Sequence, residues 1–296
     1  MEPVTLLEGA YDLHVHTGPD VSERKLDDLE MAERLENIGM KGFVIKSHYF
    51  SSAERARVVR KVHPNIEAFG ALTLNYSVGG LNPHAVEMAA KMGVKNIWMP
   101  TFNAKNEIDY MMNSTSYTEL PPWAKVQSDV LSSDGNHGLT IFDGDQVKQV
   151  VDDIIDLCKQ YDLILCTGHL SKDEIFALVT RARDLEHDKV VVTHPTFSSV
   201  ALSKEEQKGL TELGAIMEMC FGVITPDYGI DWPELYETMQ YVGAKNCILS
   251  SDLGQVNNPY PDEGLVTFVS NLLANGFTAE DIRYMTVENT SKLVED

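Results

Sequence analysis

Basic residues are scarce in this chain. Lys and Arg number 24 against 45 Asp and Glu among 296 residues, a formal net charge of −21. Such a field repels phosphate backbones and anionic bilayers, which argues against nucleic-acid or membrane partners. Cysteine is scarce too, limited to Cys158, Cys166, Cys220 and Cys247. None forms a Cys-x-x-Cys pair, and apolar neighbours mark each as a buried, reduced thiol, the state expected in the cytoplasm. No apolar run approaches the roughly 18–20 residues that cross a bilayer. The start, Met1-Glu2-Pro3, lacks the basic-then-apolar layout of a signal peptide. No Gly-x-Gly-x-x-Gly follows a strand-like segment, which argues against a doubly wound dinucleotide fold. No Pro/Gly/Ser-rich linker divides the chain, so a single domain over 1–296 is expected.

What is present is a regular alternation. Hydrophobic residues make up 43% of the chain, enough to bury a large core. Strand-like runs lie near 10–16, 42–47, 66–73, 94–99, 162–167, 189–193, 214–219 and 246–251. Most are continuous apolar stretches, the pattern of strands buried on both faces. The segments between them carry helix signals. A helix over 26–38 should stop at Gly39. Asn82-Pro83 starts one that ends near Gly93. Ser171 with Glu174, and Ser203 with Glu206, are capping boxes. Asp231 with Pro233 starts another helix, and two more cover 262–275 and 278–293. Eight strands each followed by a helix predict a (β/α)8 barrel of the TIM type. One connection is exceptional. Residues 101–145, after the fourth strand, are polar and show little periodicity, as expected of a lid or binding insertion. Its apolar residues Tyr110, Met111, Met112 and Trp123 would suit a substrate or a second copy of the chain.

In such barrels the chemistry lies at the C-terminal strand ends. His14 and His16 share one side of the first strand, because side chains two apart point the same way. Two imidazoles on a rigid strand form a metal clamp. His48 closes the second strand, His169 the fifth, His194 the sixth and Asp252 the eighth. His63, His84 and His187 fall in helix or loop contexts and read as structural. His137, in the long connection, reads as structural too, although as a lid residue it could touch substrate.

A His-x-His on strand one, single histidines closing strands five and six, and an aspartate closing strand eight resemble the amidohydrolase superfamily of metal-dependent hydrolases. The ending Glu288-Asn289-Thr290-Ser291-Lys292-Leu293 resembles that group's C-terminal Asn-x-small-basic-Leu pattern. The resemblance implies that His14, His16, His169 and Asp252 hold a divalent ion, with His194 orienting the substrate or completing a second metal site. Such mixed nitrogen and oxygen donors suit zinc, with manganese or iron as options and one or two ions in all. An ion with an open position lowers the pKa of its water to about 7. Asp252 would take that water's proton and pass it to the leaving group. The expected reaction is cleavage of an amide, cyclic amide or lactone in a small molecule. Decarboxylation or hydration of a small acid is open to the same fold.

The pattern departs from the family at strand four, which ends Trp98-Met99-Pro100-Thr101. Many two-metal members have a carboxylated lysine or a glutamate there. Two residues stand ready to compensate. Lys46, closing strand two, would be kept neutral by burial and is open to carbamylation or to binding a substrate carboxylate. Glu218, inside strand seven, is a further candidate ligand or a partner for a barrel lysine. His48 adds a resemblance to the histidinol-phosphatase and polymerase-associated family, making phosphoester hydrolysis the second reading. That family's closing Asp-x-His is missing, since Asp252 is followed by Leu253-Gly254.

Overall fold

Eight parallel strands in sequential order make the frame of the computed structural model, which describes residues 2–113, 138–224 and 230–295. They are β1 (Tyr11–Val15), β2 (Gly42–Ile45), β3 (Glu67–Thr73), β4 (Val94–Trp98), β5 (Ile164–Cys166), β6 (Val190–Val192), β7 (Ile216–Cys220) and β8 (Cys247–Ser250). The ring closes where Val15 bridges Leu253 in parallel, with the His16 amide donating to the Leu253 carbonyl at 2.8 Å. The result is a single (β/α)8 barrel, with each strand falling on a strand-like run of the sequence. Both faces of these strands are covered, so β1, β2, β4, β6 and β8 are buried along their whole length.

The helices start where their caps dictate. They are α1 (Asp28–Asn37), α2 (Ala53–Val62), α3 (Pro83–Met92), α4 (Lys105–Asn113), α5 (Gln149–Gln160), α6 (Lys172–Asp184), α7 (Lys204–Glu212), α8 (Trp232–Val242), α9 (Pro261–Ala274), α10 (Ala279–Arg283) and α11 (Asn289–Val294). Ser171 and Ser203 close full capping boxes, and Asn82 and Asp231 each accept from the backbone of the first turn. A π turn over Tyr284–Glu288 joins α10 to α11. Asn289 of the C-terminal motif donates to the carbonyls of Lys245 and Cys247, at 3.1 and 2.7 Å, and so ties the last helix to the root of β8.

Two features depart from the sequence reading. The long connection is not featureless: it contains α4, whose Ile108, Met111 and Met112 keep a helical spacing. Its end pairs Phe142–Asp143 with Gln146–Val147 in a small hairpin. Residues 114–137, including Trp123 and His137, lie outside the described residues. The second departure is in β1. Asp12 pairs with Phe43 and Val15 with Ile45, so β1 advances three residues while β2 advances two. This one-residue bulge breaks strict alternation. Tyr11 and Leu13 join the apolar cluster that fills the barrel with Val44, Ala71 and Trp98, yet His14 also faces that interior. Among the described residues no helix is long and apolar enough to cross a membrane.

Candidate metal centre

The bulge places the first-strand histidines. Asp12 Oδ1 accepts from the His14 amide at 3.2 Å and the Ser251 amide at 3.0 Å, linking the disrupted strand to the end of β8. Asp12 is fully buried, and burial pushes its carboxyl up to about 7. Above it the His14 and His16 rings stand 5.3 Å apart. Asp252 enters the same space from just beyond β8, its backbone held by donation from its amide to the His14 carbonyl at 2.8 Å.

Asp252 Oδ1 lies 3.0 Å from His14 Nε2 and 3.1 Å from His16 Nε2. One donor atom from each of these three residues falls within 4.8 Å of the other two. Asp252 adopts φ +50° and His194 φ +26°. Such left-handed conformations cost non-glycine residues of order 1 kcal/mol or more and cluster at functional sites.

Behind the rings sit carboxylates and a hydroxyl. Glu218 Oε2 lies 3.1 Å from His14 Nδ1, and Ser250 Oγ donates to Glu218 Oε1 at 2.9 Å. Glu107 Oε2 lies 3.0 Å from His169 Nδ1 and also accepts from Ser199 Oγ. His48 Nδ1 pairs with Thr101 Oγ1 at 2.9 Å. For His48 and His169, which line the cleft, the occupied Nδ1 leaves Nε2 uncommitted, while His14 Nε2 meets Asp252 and Lys46; outer hydrogen bonds of this kind orient metal-binding imidazoles. His16, His48, His169 and His194 line one small cleft of about 100 Å³ with Lys46, Phe102, Phe197 and Asp252. His169 packs on His194 with ring centroids 4.9 Å apart, and His194 lies 5.9 Å from His14. His169 thus opens onto the same cleft but stands outside the tight group of three.

Burial drives His16, His48 and His194 well below the usual histidine range, so all three are neutral near pH 7. Burial also pushes His14 down, but the carboxylates of Asp252 and Glu218 outweigh it and its pKa is raised. Asp252 is likewise pushed up by burial and more strongly down by His14 and His16, ending well below the carboxylate range. The cluster therefore stabilises positive charge at His14 Nε2, where a cation can replace the proton. The buried Nδ1 atoms of His16 and His194 have no hydrogen-bond partner among the described residues. Neutral imidazoles, an ionised carboxylate and uncommitted nitrogens fit a divalent ion.

Lys46 Nζ approaches His14 Nε2 to 2.8 Å and lies over the Trp98 ring. It is fully buried, and desolvation lowers its pKa. A second group, His14 with Glu218 and Cys220, is also compact. Burial holds the Cys220 thiol well above its ordinary pKa, and Glu218 is committed to Ser250 and His14. That makes the group a weaker candidate than the one containing Asp252.

The structure brings His14, His16, His48, His169, His194, Asp252, Lys46 and Glu218 to one end of the barrel. Sequence reasoning missed Glu107, Thr101, Asp12 and Arg24. Glu107 sits on α4, whose only signal is the spacing of Ile108, Met111 and Met112. Arg24 looks like any charged loop residue.

The barrel resembles several solved structures at low identity, a likeness of fold. An amidohydrolase from Pseudomonas aeruginosa is 10% identical with a TM-score of 0.61, covering 100% of this chain and 99% of that one. A TatD homologue from Escherichia coli is 15% identical with a TM-score of 0.59, covering 99% of each chain. A lactonase from Listeria monocytogenes is 12% identical with a TM-score of 0.56, covering 100% of this chain and 96% of that one. No curated protein matches the chain. A family model does, over residues 9–218, a span that contains every candidate site residue except Asp252: the chain belongs to the family of unknown function DUF6282.

Proposed function

We propose that the chain is a metal-dependent hydrolase of the amidohydrolase type, opening an amide, cyclic amide or lactone in a small molecule. The observation that carries this reading is the convergence of His14, His16 and Asp252 within 4.8 Å, backed by Glu218. Zinc best suits these donors, with His14, His16 and Asp252 holding it and His169 within reach of the same cleft. A divalent ion there would polarise the scissile carbonyl and make water nucleophilic near pH 7.

The chain's own groups do the rest. Asp252 takes a proton from the attacking water and delivers it to the leaving nitrogen or oxygen. His194, neutral through burial, steadies the carbonyl oxygen by hydrogen bonding. Phe102 and Phe197 wall the cleft and exclude bulk water. Lys46, its pKa lowered by desolvation, lies against His14 Nε2 and is engaged there.

The test is elemental analysis of the purified protein, followed by assays on lactones, cyclic amides and p-nitrophenyl phosphate. The phosphate ester is included because His48 lines the cleft and stacks on His16 at 4.8 Å. Stoichiometric metal with chelator-sensitive opening of a lactone or amide is expected. His14→Ala and Asp252→Asn should each lower turnover by about 10³-fold or more while far-UV circular dichroism stays unchanged. Full activity in either variant would remove the proposed centre.

A further inference from the structure

Besides its histidines, the cleft is lined by two cations, Lys46 and Arg24. The Lys46 amine is spent on His14. Arg24 lies in the loop after β1, and its side chain is only 8% exposed. Its Nε and Nη2 both donate to Asp20 Oδ2, at 2.9 and 2.6 Å. The Asp20 side chain is only 2% exposed and is fixed by the Ser47 hydroxyl and the Val21 amide. The loop is pinned beside the centre, since the Lys25 amide donates to the Gly254 carbonyl at 2.8 Å. Arg24 Nη1 has no hydrogen-bond partner among the described residues.

A buried ion pair is costly to desolvate, so an arginine locked this way with unused donors calls for an explanation. One edge of the guanidinium faces Asp20. The other, formed by Nη1 and the second hydrogen of Nη2, matches the two oxygens of a carboxylate. Asp20 already balances the arginine charge, which favours a monoanion over a dianionic phosphate. The charge of Arg24 also reaches the candidate metal site, where it helps hold His16 and His48 neutral. Phe102 and Phe197 supply apolar walls, and the space suits a small body.

We infer that Arg24 is a substrate-binding residue and that the substrate is a small carboxylic acid with an apolar body. Its carboxylate docks on the free edge of Arg24, and its scissile bond lies toward His14, His16 and Asp252. This assignment rests on reading the cleft as a hydrolytic metal centre, and it adds what that centre accepts.

Titration of the metal-loaded full-length protein with benzoate, benzamide and phenyl phosphate tests it, with heat of binding and metal content as readouts. Arg24→Met removes the anchor but strands Asp20, so the paired variant Asp20→Asn/Arg24→Met is made as well. Wild type should bind benzoate saturably, in preference to benzamide and phenyl phosphate. Both variants should lose about tenfold or more of that affinity, and Arg24→Lys should fall between. Metal content should match wild type in all three. Unchanged benzoate affinity in the paired variant overturns the assignment, because the metal alone would then be the anchor. So does preference for phenyl phosphate, absence of saturable benzoate binding in wild type, or loss of metal from the variants. Retained metal with lactone or amide turnover, alongside unchanged benzoate affinity, leaves the hydrolase reading standing while the Arg24 assignment fails.

Discussion

Glu107 is fully buried, and one of its oxygens faces His169 Nδ1. We predict that Glu107→Gln weakens metal affinity by about 10–100-fold through misorientation of His169. Chelator competition would measure this, with Glu107→Asp recovering part of the loss. Equal affinity in Glu107→Gln would show that His169 needs no such support. Away from the centre, His187 is buried just before β6, and burial lowers its pKa. A histidine depressed in the fold binds fewer protons folded than unfolded. Its contribution is therefore intact above pH ~6.5 and is lost as the pH falls below that value. His187→Gln should flatten the acid side of the urea-unfolding profile relative to wild type. Parallel profiles between pH 7 and 5 would contradict this.

At the scale of elements, helices were the most legible part, because caps are local chemistry. Asn82, Ser171, Ser203 and Asp231 each bond to a first-turn amide as their sequence context predicts. The bulge in β1 was invisible, because an extra residue shows only against the register of β2. Yet the bulge lets Leu13 fill the barrel while His14, the next residue, reaches the centre. The strand end opposite is just as constrained. Gly254 has φ +131°, and a Cβ placed on it would come within 1.6 Å of the His16 carbonyl oxygen. We predict that Gly254→Ala destabilises the protein by about 3 kcal/mol or more, since neither backbone can yield without moving His16. Calorimetry of this variant should show a melting temperature several degrees lower. An unchanged melting temperature would mean that the segment after Asp252 is free to relax.

For the whole molecule, the barrel was readable because eight buried runs and capped helices leave few other architectures. Its function was readable only as far as shared position reaches: strand ends that meet at one mouth. The geometry adds a thermodynamic consequence. Asp252 and Glu218 are carboxylates gathered around His14, and they raise its pKa. A cation bound by this arrangement would find no preformed site in the unfolded chain, so its binding free energy would become folding free energy. At a free-metal level about 100 times the dissociation constant the gain is about 2.7 kcal/mol. For a chain of 296 residues that corresponds to roughly 4 °C in melting temperature. Chelation should therefore lower the melting temperature of wild type by that amount, and zinc should restore it. His14→Ala provides the control, because its melting temperature should no longer respond to chelator or zinc. If chelator and zinc leave wild type unmoved, the convergence of His14, His16 and Asp252 is a buried polar network that binds no ion, and the barrel has no hydrolytic centre at this mouth.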